Sequence, residues 1–458
     1  MYPIVSKKKR RAAFIFALCL AFETLLCYTC DAAIHRRSPH SIPMIDKEKT
    51  SDMRNYPQAI VTEKAARSLR AGHPWVYGEE VLAIRGEYAN GDTVDVLTEK
   101  EKYLGTGFIN DHSKIRIRLV TRNANDHPNE TFWTRRLQYA IDYRKTVMGA
   151  DFACCRLIFG EADQFPGLTV DRFGPVLVAQ VLSLGMERIK HILFPALLKI
   201  LREMGEQIDV IYERNDVAIR ELEGMSCYRD YVHGEGLLTE TDGKVLIVEN
   251  GIQYEVDYIN GQKTGFFLDQ KYNRAAVARL AKGKHVLDCF THTGAFALNA
   301  AAAGAAHVTA VDVSQDAIQM ARSNAIRNGL QGNMDFLCAD VFDLLTDMAK
   351  QGRSPYDFII LDPPAFTKSR ATIKNAIRGY KEINLKAMRL LPRGGYLATC
   401  SCSHFMNDTH FCQMIHNAAE DAQVSLRQIE GRQQSPDHPI LWNVPETDYL
   451  KFYLFQVV

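Results

Sequence analysis

A chain of 458 residues is too long for one ordinary hydrophobic core and should divide into two or three domains. Its 47% hydrophobic and 24% charged residues are ordinary for a globular protein, and a net charge of +1 excludes a global attraction to nucleic acid, so any basic surface has to be local. Its 11 cysteines lack the spacing of a disulfide scaffold, which points to reduced thiols in a cytoplasmic protein.

Residues 1–56 form a leader. Lys7, Lys8, Lys9, Arg10 and Arg11 precede an apolar run from Ala12 to Phe22 that Glu23 interrupts. This is the layout of a secretory n-region and h-region, but it is too short and too charged for a membrane span. Export would conflict with the reduced thiols and the motifs of the remaining chain. The expectation is a disordered extension, or a start codon placed too early with Met44 or Met53 as the true start, and no membrane association.

Residues 57–125 read as a small β-rich domain. Glu63–Ala71 is predicted as a short helix, His73–Tyr77 as an aromatic turn, and Asn90-Gly91-Asp92 as a turn between strands. In Lys114–Leu119 the period-2 alternation places Ile115, Ile117 and Leu119 inward and Lys114, Arg116 and Arg118 on the opposite face. That face is either a solvated strand surface or a cationic stripe for phosphates.

Residues 126–260 mix strands and helices in a central α+β domain. Val176–Leu184 and Val210–Glu213 read as strands and Met186–Met204 as an amphipathic helix. Val245–Glu249 and Ile252–Tyr258 read as a hairpin, because Asn250-Gly251 supplies the positive φ angles of a type I′ turn. Phe165–Arg172 and Arg220–Gly224 show no chemistry legible from residue type.

Residues 261–458 alternate regularly. Strands are predicted at His285–Phe290, His307–Val313, Met334–Ala339, Phe358–Leu361, Gly395–Cys402, Val424–Ile429 and Lys451–Val457, with helices between them. This implies an α/β, doubly wound parallel sheet, with the closing run as an antiparallel edge strand.

Three motifs fall at carboxyl ends of these strands, where an open α/β sheet builds its ligand crevice. In Asp288–Phe296 the single Gly294 replaces a full dinucleotide fingerprint. Asp288 at a strand end suits a cationic amino-acid ligand. Asp312 is placed for ribose hydroxyls, and Asp340 could reach an adenine amino group. Together they describe an S-adenosylmethionine pocket, although a single aspartate there is often a helix N-cap. In Asp362-Pro363-Pro364-Ala365-Phe366 the prolines stiffen the backbone and Phe366 offers a surface for a planar base. Cys400 and Cys402 have three readings: buried small hydrophobes, a zinc site with His404, His410 and Cys412, or a nucleophile. Pyrimidine C5 needs a thiolate at C6 before it can react, and that favours the nucleophile over a metal.

These motifs, with Gly261–Gln270, Pro166–Gly174, Glu213–Gly224 and His73–Tyr77, resemble the bacterial ribosomal large-subunit RNA cytosine-C5 methyltransferases across residues 57–458. The resemblance implies a PUA RNA-binding domain, a central α+β domain and a Rossmann-like class I methyltransferase domain. It implies S-adenosylmethionine as cofactor and large-subunit rRNA as partner, and leaves a homodimer open. By position it makes Cys402 the nucleophile and Asp362 the cytosine-orienting carboxylate. Asp288, Phe290, Gly294, Asp312 and Asp340 fall on cofactor positions, joined by Lys263, Thr264 and Phe267. Phe366 and the Lys114, Arg116 and Arg118 stripe become RNA contacts. Two rivals stay open: methylation of a guanine or adenine nitrogen without Cys402, and a non-catalytic RNA-binding assembly factor.

Overall fold

Short β-branched runs broken by glycine turns build the amino-terminal sheet. The computed structural model describes residues 54–352, 354–367 and 370–458; the leader reading turns on residues 1–53 and lies outside them. The six strands lie in the order Trp75–Tyr77, Ile115–Thr121, Tyr103–Ile109, Thr93–Thr98, Gln58–Val61, Val81–Arg85. Val94, Val96, Ile117 and Leu119 pack against Leu69 of the helix Glu63–Arg70. That helix begins where the Thr62 hydroxyl accepts the Ala65 N–H. The expected aromatic turn is corrected: Trp75–Tyr77 is an edge strand, paired antiparallel with Ile115–Arg118. An apolar, alternating partner strand captured residues whose composition reads as a turn.

The second sheet has the order Tyr228–Tyr231, Val210–Asn215, Val176–Val181, Leu168–Phe173, Cys154–Phe159. The helices Glu130–Met148 and Leu184–Glu203 cover it with Leu137, Ile141, Leu193 and Leu197. The hairpin of Lys244–Glu249 and Ile252–Asp257 forms as expected, with Asn250 at φ 52° and Gly251 at φ 79°. The two segments without legible chemistry prove to be latches. Asp171 is fully buried and accepts two bonds from Arg156. Glu223 accepts from Asn110, Ser113 and Arg118 of the first sheet.

The third sheet has seven strands: Met334–Cys338, His307–Asp312, His285–Cys289, Phe358–Leu361, Tyr396–Ser401, Lys451–Val457, Leu426–Arg432. Only Lys451–Val457 runs antiparallel to its neighbours, and it is not the edge. It lies between Tyr396–Ser401 and Leu426–Arg432. Its own apolar alternation explains this placement, since Phe452 and Leu454 join one layer and Phe455 and Val457 the other. Both faces of the sheet are covered. Val286, Ala310, Ile360 and Ala398 meet the helices Lys271–Ala281, Ala295–Ala302 and Gln315–Arg327. Leu287, Val311, Ile359 and Leu397 meet Val341–Gln351, Ile373–Leu390 and Asp408–Ala422. Among the described residues no helix is long and apolar enough to cross a membrane, and the eight cysteines are unbridged.

The hairpin is fastened to the third layer by a buried fork. Arg274 donates to Glu249 at 2.6 and 2.8 Å, with the two side chains 2% and 0% exposed. Removing one partner strands the other charge, so Glu249→Ala should cost about 3–5 kcal/mol. A lowered urea midpoint checks this, and a midpoint equal to wild type would show that the fork contributes nothing.

Candidate functional site

Register sets the site. Val311, Cys289, Leu361 and Thr399 form one row across four neighbouring strands. The next position along these strands carries Asp312, Phe290, Asp362 and Cys400. Asp288, Asp312, Asp362 and Cys400 each follow Val286, Ala310, Ile360 and Ala398 by two residues. Period-2 alternation therefore aims all four toward one face.

The turn after His285–Cys289 is strained. Phe290, His292 and Gly294 all have positive φ, at 65°, 50° and 84°. Two of them are bulky side chains that rarely occupy this region. At Gly294 a Cβ would also come 2.9 Å from the Ala321 Cβ. Asp288 folds under the turn, fully buried. Its Oδ2 accepts the Thr291 hydroxyl at 2.5 Å and the Ala297 N–H at 2.9 Å. Asp288 Oδ1 and Thr293 Oγ1 are buried without a partner. Burial pushes the Asp288 carboxyl up to about 7, and the charges of Asp362 and Asp312 add to it against the Thr291 bond. An orphaned carboxylate oxygen in such a turn fits the ammonium of an amino-acid ligand.

The other predicted cofactor residues divide. Asp312 is half-buried and accepts the His292 and Ser314 N–H groups, one on each oxygen. About half of a carboxylate's lone-pair sites stay free after two such bonds, so hydroxyls can still bind. Asp340 is exposed and its Oδ1 caps the helix Val341–Gln351 through Phe342 and Asp343. Phe290 is half-buried against the far layer. Lys263 is exposed, its ammonium 4.6 Å over the Phe267 ring. Phe267 in turn meets His292 edge-on at 5.1 Å, so this loop covers the Asp288 turn. Burial lowers His292 to about 4 and keeps it neutral. Thr264 is 1% exposed and its hydroxyl donates to Asp171 at 2.6 Å, so it braces the loop from below.

Asp362 and the cysteines form the second half of the site. Gln270 donates to Asp362 Oδ1 at 3.0 Å, and Asn273 holds Gln270 at 2.7 Å. Burial pushes the Asp362 carboxyl up to about 7, and Asp269 adds to the shift. Cys400 is fully buried and its thiol is pushed well above the usual range by burial and then by Asp362. Cys402 is half-accessible, with Sγ 3.9 Å from the Pro363 carbonyl oxygen. Burial pushes its thiol up to about 11. Asp362 and Asp269 add to this, and Lys263 opposes. Cys402 is therefore the less buried thiol of the pair.

Two of the expected RNA contacts already have partners within the chain. Phe366 is wedged between Tyr380 at 4.6 Å and Phe342 at 5.8 Å, so its ring packs inward and is no open platform. The arginines of the stripe are already engaged. Arg116 donates to Asp111 and Tyr88. Arg118 donates to Glu223 at 2.8 Å and Glu161 at 3.4 Å, with its guanidinium 5.9 Å over Trp75. Lys114 is exposed. Period-2 alternation found the face correctly but could not see that carboxylates from the second sheet meet it.

Sequence reasoning missed Gln270, Asp269 and Lys451. Asp269 accepts the Tyr449 hydroxyl at 2.7 Å on Oδ2, and its Oδ1 is buried without a partner. Lys451 is a buried lysine on the reversed strand. A lysine opening an otherwise apolar strand was its only signal. Among the described residues no group of three or more His, Cys, Asp or Glu is placed to hold a metal. Cys412, a candidate in the zinc reading, is hydrogen-bonded to Tyr453 instead. A cavity of about 540 Å³ lies elsewhere, between Phe194–Glu203 and Val232–Leu237, and holds no strand-end carboxylate or cysteine.

Comparison with known proteins adds to this geometry. Residues 168–456 match the S-adenosylmethionine-dependent methyltransferase family and residues 59–122 the PUA-like domain. Proteins named ribosomal RNA large subunit methyltransferase I are similar over nearly their whole length. That of Pseudoalteromonas translucida is 40% identical over 85% of this chain and 97% of its own. That of Klebsiella pneumoniae is 37% identical over 88% and 99%. A Streptococcus mutans chain assigned to the S-adenosylmethionine-dependent methyltransferases shares the fold. Its TM-score is 0.73 at 22% identity, covering 87% of this chain and all of that one.

S-adenosylmethionine carries an amino-acid ammonium, and an Asp288 that pairs with it has to be ionised. With the carboxyl at about 7 in the free protein, its ionised share climbs from about 3% at pH 5.5 to about half at pH 7. S-adenosylmethionine should accordingly bind about tenfold more tightly at pH 7 than at pH 5.5, with proton release. Calorimetry in two buffers of different ionisation enthalpy checks this, and Asp288→Asn should flatten the dependence.

Proposed function

Because the chain belongs to the ribosomal RNA large subunit methyltransferase I family, we propose that it transfers a methyl group from S-adenosylmethionine to C5 of a cytosine in large-subunit rRNA through a transient bond to Cys402. The observation that carries this reading is the half-buried Cys402 beside Asp362, at the ends of neighbouring strands. The reading includes a cytoplasmic location and allows a homodimer. The target base has to leave its stack to reach the strand ends.

Cytosine C5 is a poor nucleophile until a group adds at C6. The Cys402 thiolate forms that bond, and the C5–C6 π electrons make C5 enamine-like. Asp362 is suited to hold the base meanwhile. With Gln270 donating to Oδ1, a proton on the carboxyl resides on Oδ2 and can be given to ring N3, while Oδ1 accepts from the exocyclic amine. A carboxyl at about 7 is able to play both parts near neutral pH. Bound S-adenosylmethionine supplies the electrophilic methyl group that C5 takes. Loss of the C5 proton to water then restores the C5–C6 double bond and expels Cys402 as thiolate, and N3 returns its proton to Asp362. Methylation at a base nitrogen would need none of this, and would leave the accessible thiol without a role.

RNA carrying 5-fluorocytosine at the target has no C5 proton to lose, so it should trap the adduct as a denaturant-stable protein–RNA product. Cys402→Ala should abolish both this product and 5-methylcytosine formation, whereas Cys400→Ala should still trap RNA. Asp362→Asn should lower kcat by about 10²–10⁴-fold. Full methylation by Cys402→Ala, read by mass mapping of the rRNA, would rule out the covalent route.

A further inference from the structure

Lys451 is 4% exposed and pairs directly opposite Ser401 on the reversed strand. Its Nζ donates to the Ser403 carbonyl oxygen at 2.7 Å and to the Tyr449 carbonyl oxygen at 2.8 Å. Among the described residues it forms no ion pair. Burying an ammonium without a carboxylate is costly. Burial pushes Lys451 down to about 8, with Asp448, Cys402 and Asp408 opposing. A neutral amide could satisfy two carbonyls without that cost, so bracing alone does not account for a lysine here.

The carbonyl that Lys451 grips belongs to the residue after Cys402, which puts the ammonium on the turn that carries the thiol. The other charged neighbours of Cys402 do not favour ionisation. Asp362 and Asp269 oppose it, and Lys263 favours it from an exposed position on its loop. Around Lys451 itself lie Asp408, Asp448 and His404, which line the same cavity of about 390 Å³. Cys402 raises Lys451, yet Lys451 is not among the leading influences on Cys402. A thiolate at Cys402 therefore favours the charged form of Lys451.

We propose that Lys451 is a positioning residue for Cys402: its ammonium ties down the Cys402–Ser403 turn and is the counter-charge of the thiolate formed there. The thiol proton goes to water through the accessible side of Cys402, and Lys451 neither gives nor takes one. This rests on Cys402 acting as the nucleophile.

The experiment reads thiolate formation directly. Iodoacetamide alkylation of Cys402 is followed by peptide mass spectrometry from pH 6 to 10 in the full-length protein, without RNA or cofactor. The exposed Cys227 and Cys338 serve as internal references. Lys451→Gln keeps donors for the two carbonyls but loses the charge, and it should slow Cys402 alkylation at least tenfold at every pH from 6 to 10, the loss of thiolate expected when the thiol is raised by about one pH unit. Lys451→Arg keeps the charge and should stay within threefold of wild type. The references should not move in either variant. A Lys451→Gln profile equal to wild type would overturn the proposal. So would a loss of more than tenfold in Lys451→Arg, and that arm can be read even if the glutamine variant does not fold. A methylation-competent enzyme with an unshifted Cys402 profile would sink this inference alone. A Cys402→Ala enzyme that still methylates would sink the covalent reading beneath it.

Discussion

The ladder register of the third sheet is the constraint on which the rest depends. Parallel pairing of Cys289 with Leu361 and of Leu361 with Thr399 fixes where each strand stops. The loops that leave those strands then emerge at one level. Because side chains alternate with a period of two, Asp288, Asp312, Asp362 and Cys400 share the face of Val286, Ala310, Ile360 and Ala398. A slip of one residue in a single strand would send its functional group to the opposite layer of helices. The dense apolar packing on both faces prevents such a slip, so the hydrophobic core holds the chemistry in place.

That placement has an electrostatic cost. Asp288 and Asp362 stand beside one another in a buried setting, and each carboxyl rises from an ordinary 3.8 to about 7. A carboxyl raised in this way binds its proton more tightly in the folded chain than in the unfolded one. Its contribution to stability is therefore full below about pH 4 and is lost as the pH rises through 7. A ligand ammonium at Asp288 and a nucleobase edge at Asp362 would each offset the loss. The buried, partnerless oxygens of Asp288, Thr293 and Asp269 fit the same pattern of polar atoms held ready for a ligand.

Fastening between the layers follows a different logic, and it engages several residues that the sequence marks as candidates. Thr264 sits within a motif that faces the cofactor turn, but its hydroxyl closes on Asp171, which Arg156 already grips. Arg118 belongs to a basic stripe by alternation, yet Glu223 and Glu161 reach it from the second sheet. Phe366 follows the Asp362 motif, but Tyr380 and Phe342 pull it into the core. In each case a partner elsewhere in the sequence holds the side chain.

The amino-acid sequence by itself determined the alternation of strands and helices, the Asn250-Gly251 hairpin turn, and the strand-end placement of Asp288, Asp362 and the cysteine pair. Those signals are local: hydrophobic period, turn chemistry and residue type are written within a few positions of one another. Tertiary structure alone decided that Lys451–Val457 enters the sheet instead of closing it. It also decided that Cys402 is accessible where Cys400 is sealed, and that Gln270 holds Asp362 and Lys451 holds the turn after Cys402. These facts depend on contacts between segments tens of residues apart. Whether a buried lysine or carboxyl is tolerable is settled by the groups around it, and no local pattern records them.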